Sequence, residues 1–130
     1  MNNESPAPTN AELEILGILW QHGPQTVKQI HEAIRPTRDV GYTTILKLMQ
    51  LMTEKGLLER DESERSHVYA PAVPEKKIKK RLLSDLLDRA FDGSTASMVQ
   101  QLLSAKRASP KELDEIRAIL DDHRKQRGDR

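Results

Sequence analysis

The polar side of one predicted helix carries the residues best suited to chemistry in this sequence. Thr43, Lys47 and Gln50 are spaced four and three residues apart, so they share one face of a helix that begins after Gly41. Hydroxyl and amide groups hydrogen-bond to phosphates or base edges, and a lysine reaches guanine or phosphate. The positive end of the helix dipole favours an anion near Thr43. The pattern indicates a nucleic-acid-reading helix, but an ordinary solvated face gives the same spacing.

The other side of this third predicted helix is apolar. Its apolar residues recur at i, i+3, i+4 and i+7, which places them on the face that packs against a core. They are Ile45, Leu48, Met49 and Met52. The helix is expected to end at Lys55-Gly56, because glycine readily adopts the left-handed conformation of a C-terminal cap.

Two shorter helices precede it, and each has a capping-box start. Thr9 with Glu12, and Thr26 with Gln29, place a hydroxyl and a carboxylate or amide where both satisfy unpaired backbone N–H groups. The second helix must stop before Pro36. Their apolar stripes are Leu13, Leu16, Leu19 and Trp20 in the first helix, and Val27, Ile30 and Ile34 in the second.

A short hairpin is predicted after the third helix. Leu57 to Arg60 and His67 to Ala70 have strand patterns, and the loop between them is polar. Three helices and a hairpin make a winged helix-turn-helix. In that setting Arg65 at the tip of the wing and Lys28 at the start of the second helix are placed to hold a nucleic-acid backbone.

The rest of the chain is predicted to be helical and rich in leucine. Roughly 55 residues of this kind rarely bury all their apolar stripes alone, so we expect a second copy of the chain to cover them. Folding back over the winged helix is the alternative. The candidate dimerisation residues are Leu82, Leu86, Met98, Leu102, Leu113, Ile116 and Leu120.

The predicted fold is therefore mainly α with a small β-hairpin. It combines an N-terminal winged helix-turn-helix with a C-terminal helical dimerisation segment. The predicted boundaries are a flexible N-terminus over 1–8, a DNA-binding winged helix over 9–73, a helical dimerisation domain over 74–125 and a flexible tail over 126–130.

Composition excludes several functional classes. The chain has no cysteine, and its four histidines lack metal-ligand spacing, so we expect no metal, no other cofactor and no catalytic activity. His31 and His123 are expected to be exposed. The N-terminus lacks the regions of a signal peptide and no apolar run approaches a membrane span, so we expect a cytoplasmic protein without membrane insertion.

The distribution of charge keeps a second function open. Residues 1–73 carry 7 Lys+Arg against 10 Asp+Glu, whereas residues 74–130 carry 14 against 10. An acidic winged helix binds DNA only if its positive charge is concentrated on one face. A winged helix used solely as a protein-interaction module is therefore the alternative, and the salt dependence of DNA binding separates the two.

Nearly the whole chain resembles the BlaI/MecI penicillinase-repressor family. Single elements are common among winged helices, but their order and spacing together are fairly specific. The residues that carry the resemblance are Ala11-Glu12-Leu13-Glu14-Ile15-Leu16, Leu19-Trp20, Thr26-Val27, Gly41-Tyr42-Thr43-Thr44-Ile45, Lys55-Gly56-Leu57 and Tyr69-Ala70-Pro71.

The resemblance implies a bacterial transcriptional repressor. Such a repressor binds as a homodimer to double-stranded DNA operators with dyad symmetry, related to TACA and TGTA. Tyr42, Thr43, Thr44 and Lys47 then fall on the recognition helix and Arg65 in the wing. Lys47 stands where the family often has threonine, and Leu51 where it often has arginine, so a different operator sequence is expected. The cysteine motif of copper-responsive relatives is absent.

The resemblance also implies a route to derepression. In this family a membrane sensor metallopeptidase or its signalling pathway leads to a cut within the helical segment. The aligned bond lies between Gln101 and Leu102, where the family's Asn-Phe is replaced by Gln-Leu. The alternative is that the apolar residues here only pack and that another signal acts.

Overall fold

The computed structural model describes residues 7–128, and within that range the chain forms six helices and one three-stranded antiparallel sheet. Of the flexible ends predicted at 1–8 and 126–130, residues 1–6 and 129–130 lie outside the described range. In chain order the elements are α1 (Asn10–His22), β1 (Gln25–Thr26), α2 (Val27–Ile34), α3 (Tyr42–Glu54), β2 (Leu58–Asp61), β3 (Val68–Pro71), α4 (Glu75–Ala90), α5 (Thr95–Ala105) and α6 (Pro110–Gln126).

Local sequence signals set the helix ends, as predicted. Both capping boxes form: the Glu12 amide donates to Thr9 Oγ1 at 3.2 Å and the Thr9 amide donates to Glu12 Oε1 at 2.9 Å. The Thr26 and Gln29 pair makes the same two bonds. Gly56 follows α3 with a φ of 85°, the left-handed conformation predicted for it. The mainly α fold with a winged helix-turn-helix is confirmed.

The sheet contains one strand more than the predicted hairpin. β3 lies in the centre, paired with β2 on one side and with the two-residue strand β1 on the other. Thr26 pairs with Val68 and also caps α2, so the start of α2 is tied to the second strand of the wing. Two residues are too few to show an alternating pattern, so β1 could not be predicted from periodicity.

The core of the first compact unit lies among α1, α2, α3 and the sheet. Most of the predicted stripe residues are buried in it, but Leu13, Trp20 and Leu48 are only half-buried. On α1 the fully buried residue Ile15 was not part of the predicted stripe. The buried apolar residues are Ile15, Leu16, Leu19, Val27, Ile30, Ile34, Ile45, Met49, Met52, Leu57, Leu58, Tyr69 and Ile78.

The first part of α4 belongs to this unit. Ile78 is fully buried in the core, Leu82 packs against it, and Lys79 Nζ lies 5.5 Å from the centre of the Trp20 ring. The compact unit accordingly extends to Asp85, past the predicted domain boundary at residue 73. The apolar stripe of α4 runs along the whole helix. It therefore does not show that the first part of the helix packs on the first unit and the end of the helix belongs to the second.

The second unit begins at Leu86 and contains the end of α4 with α5 and α6. Asp92 and Gly93 adopt positive φ angles of 51° and 78° and end α4. Ser94 and Ser109 cap the next two helices. Neither α5 nor α6 has a buried side chain, so this unit leaves its apolar stripes uncovered within the described chain.

A partly buried ion pair, between a buried carboxylate and an exposed lysine, joins α1 to the end of α3. Glu12 is only 3% exposed, and its two carboxylate oxygens accept hydrogen bonds from Lys55 Nζ at 2.8 and 2.7 Å. Burial alone raises the pKa of Glu12, but the bonds from Lys55 and Thr9 outweigh it and lower the pKa below 4.5. The charged pair therefore stabilises the contact between α1 and α3.

Replacing Lys55 with Met should lower the free energy of unfolding by about 1 to 3 kcal/mol, because a buried carboxylate loses its partner. In the wild-type protein the lowered pKa of Glu12 adds stability above pH 4.5, and that contribution is lost as the pH falls through the folded-state pKa. In Lys55→Met the pKa of Glu12 should rise, so acid unfolding should begin at a higher pH. Urea titrations followed by circular dichroism between about pH 3 and 7 measure both effects.

The matched control is Lys47→Met, which removes an exposed lysine from the same helix. Its unfolding free energy should stay within about 0.5 kcal/mol of the wild-type value. Equal stability of Lys55→Met and Lys47→Met would show that the pair contributes nothing.

Candidate nucleic-acid interface

The outward side of α3 is fully available to a ligand. Its five predicted contact residues are all exposed, whereas Ile45, Met49 and Met52 on the inward side are completely buried. The exposed residues are Tyr42, Thr43, Thr44, Lys47 and Gln50. The core therefore holds the helix while leaving this face clear, the arrangement that a groove-reading helix requires.

Three of the predicted contact residues, from three different elements, line one concavity. Lys28 from α2, Tyr42 from α3 and Arg65 from the wing surround a space of about 290 Å³. Its other lining residues are Thr26, Val27, Leu46, Ser66, His67 and Tyr69. Ser66 and His67 had no sequence signal of their own; only the pairing of β1 with β3 brings them beside α2.

The two arginines of the wing differ in availability. Arg60 is held by Glu62, with Nε 2.6 Å from the carboxylate, and the pKa of Arg60 is raised by its hydrogen bond with Tyr69 and by the bond to Glu62. Arg65 is exposed and makes no ion pair with any residue between 7 and 128. It is therefore the wing arginine that is free to meet an anion.

Two acidic residues of the wing make their contacts within the wing. Asp61 Oδ1 accepts a hydrogen bond from the Ser63 amide at 2.9 Å, and bonds from Ser63 lower the pKa of Asp61. Glu62 is paired with Arg60. These contacts shape the loop between β2 and β3 and direct two carboxylates toward local partners.

Helix dipoles add positive potential to the same surface. Neither α2 nor α3 has an acidic residue in its first turn, and the N-cap of α3 is Gly41, which supplies no side-chain hydrogen bond. In contrast, α1, α4 and α6 each have a glutamate in the first turn. The N-termini of α2 and α3 thus keep a positive end that carboxylates do not neutralise.

His31 is not exposed, contrary to prediction. It lies half-buried on α2, with Nε2 2.8 Å from the carbonyl oxygen of Val40 and its ring edge-on to Tyr42. The residues between α2 and α3 have no regular pattern, so the contact between this loop and His31 could not be predicted from the sequence. His123, on α6, is exposed as predicted.

The predicted dimerisation residues fall into two groups. Leu86, Leu102, Leu113 and Leu120 are exposed, and Leu120 retains 58% of its accessible surface. Leu82, Met98 and Ile116 are half-buried; Leu82 packs on the core of the first unit, and Ile116 lines a groove with Leu102 between α5 and α6. Gln101, at the predicted cleavage site, is exposed within α5.

Residues 7–128 contain neither a metal-binding cluster nor a membrane-spanning helix. No three histidine or carboxylate side chains in that range come close enough to share a metal ion. No helix in the same range is both long and apolar enough to cross a membrane.

Sequence comparison finds relatives among bacterial regulatory proteins and repressors. The chain is 32% identical over 111 residues to the transcriptional regulator BlaI of Mycobacterium tuberculosis, an alignment that covers 84% of this chain and 79% of the relative. It is 26% identical to the penicillinase repressor of Bacillus licheniformis, over 92% and 93% of the two chains. It is also 26% identical to the methicillin resistance regulatory protein MecI of Staphylococcus aureus, over 92% and 98%.

Structural comparison supports the winged-helix fold. The solution structure of the monomeric form of Bacillus licheniformis BlaI in complex with the blaP half-operator matches with a TM-score of 0.51 at 24% identity, over 57% of this chain and 90% of that one. The DNA binding domain of the repressor BlaI gives the same TM-score and identity, over 58% and 93%. The model of the penicillinase repressor family matches residues 8–122, nearly the whole chain, and the protein therefore belongs to that family.

Proposed function

We propose that this protein is a transcriptional repressor that binds double-stranded DNA as a homodimer, at operators with two-fold symmetry. One observation carries the proposal: Lys28, Tyr42 and Arg65 converge on one concavity beside the exposed face of α3. The names of its relatives, which include transcriptional regulators and repressors, support this function.

The shape of the site fits a DNA duplex. An α-helix enters the major groove, where hydroxyls, amides and lysines read base edges. Thr43, Lys47 and Gln50 are the side chains that would do so. Lys28 and Arg65 project from the elements beside α3, where they would hold phosphates and fix the register of the protein.

The charge of the site also fits DNA despite the acidic first half. Lys28, Lys47 and Arg65 form no ion pair within residues 7–128, so their charge is available to phosphates. Several carboxylates of the same unit are already paired, including Glu12 with Lys55 and Glu14 with Arg38. Positive charge is thus concentrated where DNA would lie, and a purely protein-binding winged helix has no need of this separation.

The homodimer is proposed from the uncovered helices of the second unit. Leu113 and Leu120 lie seven residues apart on α6 and are both exposed, although burial of each is worth about 1.5 to 3 kcal/mol. A second copy presents the same stripe, so a two-fold interface buries both at once. Two linked DNA-binding units then read two half-sites of one operator.

Derepression by proteolysis is the third part of the proposal. The Gln101–Leu102 bond lies inside α5, where Ser104 Oγ donates to the Gln101 carbonyl at 3.0 Å. A protease needs this helix to open locally, because it binds an extended strand of substrate. A membrane sensor metallopeptidase or its pathway would supply the signal, and a cut here would separate α6 from the DNA-binding unit.

Lys47→Ala should weaken operator binding by about 1 to 3 kcal/mol and leave binding to scrambled DNA nearly unchanged, because Lys47 would contact base edges. Arg65→Ala should weaken binding to both duplexes about equally and reduce the salt slope by about one, because Arg65 would contact a phosphate. Anisotropy titrations over a salt series measure both, with an operator selected from random duplexes.

Lys111→Ala, a matched change on α6, is the control and should leave both affinities unchanged. Wild-type operator affinity in Lys47→Ala would remove that residue from the recognition surface. DNA binding that is absent or insensitive to salt would favour the protein-interaction module instead.

Leu113→Asp combined with Leu120→Asp should convert the dimer to monomers at about 10 µM, because two charges would be placed in a buried stripe. Operator affinity should fall with dimerisation. Both residues are exposed in the single chain, so the change spares its own packing, whereas Ile116 is half-buried and would confound folding with assembly. Sedimentation velocity measures the oligomeric state.

Ala118→Asp is the control for this pair, since Ala118 is exposed on the opposite side of α6. It should remain dimeric. A wild-type protein that sediments as a monomer at the same concentration would refute the proposed assembly.

Cleavage between Gln101 and Leu102 should produce an N-terminal fragment of about 101 residues when the native host is induced. Immunoblotting and mass spectrometry of the tagged protein detect it. A Leu102→Asp variant should resist the cut if a large apolar residue is required after the amide. An intact chain during full derepression would exclude this mechanism.

A further inference from the structure

We propose that His31 is a positioning residue for DNA recognition, which holds the first turn of α3 in the orientation that reads the operator. The inference rests on the proposed DNA binding. It concerns a residue that does not itself line the concavity but contacts Tyr42, which does.

The first contact of His31 closes the loop between α2 and α3. Its Nε2 lies 2.8 Å from the carbonyl oxygen of Val40, nine residues further along the chain. A carbonyl oxygen only accepts, so Nε2 must carry the proton and donate it. The hydrogen bond therefore fixes the backbone two residues before the first residue of α3.

The second contact of His31 is with the first residue of α3 itself. The rings of His31 and Tyr42 meet edge to face, with centroids 6.0 Å apart and planes at 83°. This geometry is favourable between aromatic rings. Tyr42 is 47% exposed and lines the concavity together with Lys28 and Arg65. His31 thus supports, from inside, a side chain that faces the proposed DNA.

Val40 also packs against the hydrophobic core, but the other polar side-chain restraints on this junction are weak. Gly41, the N-cap of α3, makes no side-chain hydrogen bond. The ion pair between Arg38 and Glu14, 2.9 Å long, also anchors the loop, but its side chains are 50% and 34% exposed, and such surface pairs contribute little. The clamp made by His31 is therefore the less exposed of the two polar anchors.

The effect of His31 should be confined to the first turn of α3. Ile45, Met49 and Met52 are fully buried and hold the later turns against the core. Tyr42, Thr43 and Thr44 precede them and are exposed. Hydrogen bonds to base edges depend on geometry within fractions of an ångström, so a looser first turn would reduce discrimination between sequences more than attraction to phosphates.

The test compares His31→Leu with His31→Gln in the full-length protein. Leu removes the donor and keeps an apolar side chain, while Gln places an amide donor at a similar reach from the backbone. His31→Leu should lower the ratio of operator to scrambled-DNA affinity by roughly two- to tenfold, the range expected for one lost hydrogen bond. His31→Gln should restore most of that ratio.

A second measurement does not depend on DNA. The ¹⁵N–¹H heteronuclear NOE of Gly41, Tyr42 and Thr43 should fall in His31→Leu and recover in His31→Gln, while that of Met49 should stay constant. Equal losses on both duplexes, no rescue by Gln, or unchanged NOE values would each overturn the role of His31. A wild-type protein without operator preference would instead refute the proposed function, and the NOE comparison would still decide whether the clamp orders the first turn.

Discussion

The ion pair between Glu12 and Lys55 is the constraint on which the position of α3 depends. Glu12 is only 3% exposed, and leaving its carboxylate without a partner would cost about 1 to 3 kcal/mol. Lys55 follows directly after α3, and Glu12 lies in the capping box of α1. The start of the first helix and the end of the third are thereby fixed to each other. The buried face of α3 fixes the rotation of the helix about its own axis. Its polar face must therefore point to solvent.

Pairing within the first unit localises its charges, although the net charge of the unit stays the same. Glu12, Glu14 and Glu62 are each matched with a lysine or arginine of the same unit. The cations around the concavity are left without such partners among residues 7–128, and the dipoles of α2 and α3 add to them. Local separation of charge, which a count over 73 residues does not show, decides whether this surface attracts a polyanion.

The sequence predicted those parts of the fold and site that depend on neighbours along the chain. Capping boxes at Thr9 and Thr26 and the two faces of α3 follow from spacings of three and four residues, and all were confirmed. The strand β1, the contact of His31 with Val40 and the pairing of Glu12 with Lys55 depend on tertiary geometry. Glu12 and Lys55 are 43 residues apart, and no local pattern links them. The exposure of Lys28 and Arg65 was predicted, but their convergence on one concavity required the pairing of β1 with β3.

The second unit obeys a different physical rule from the first. Isolated helices of 11 and 17 residues are marginal in water, and α5 and α6 bury no side chain of their own. In the proposed dimer, these helices are stabilised by the apolar surface that they bury on association. Dissociation of the dimer should therefore also destabilise the helices. Linking two DNA-binding units raises the effective concentration of the second at its half-site, and operator occupancy then depends on the integrity of these helices. A unit poor in its own core is, for that reason, a suitable place for the proposed signal to act: little stability would have to be overcome to open α5, and in the proposed dimer the consequence would reach both half-sites.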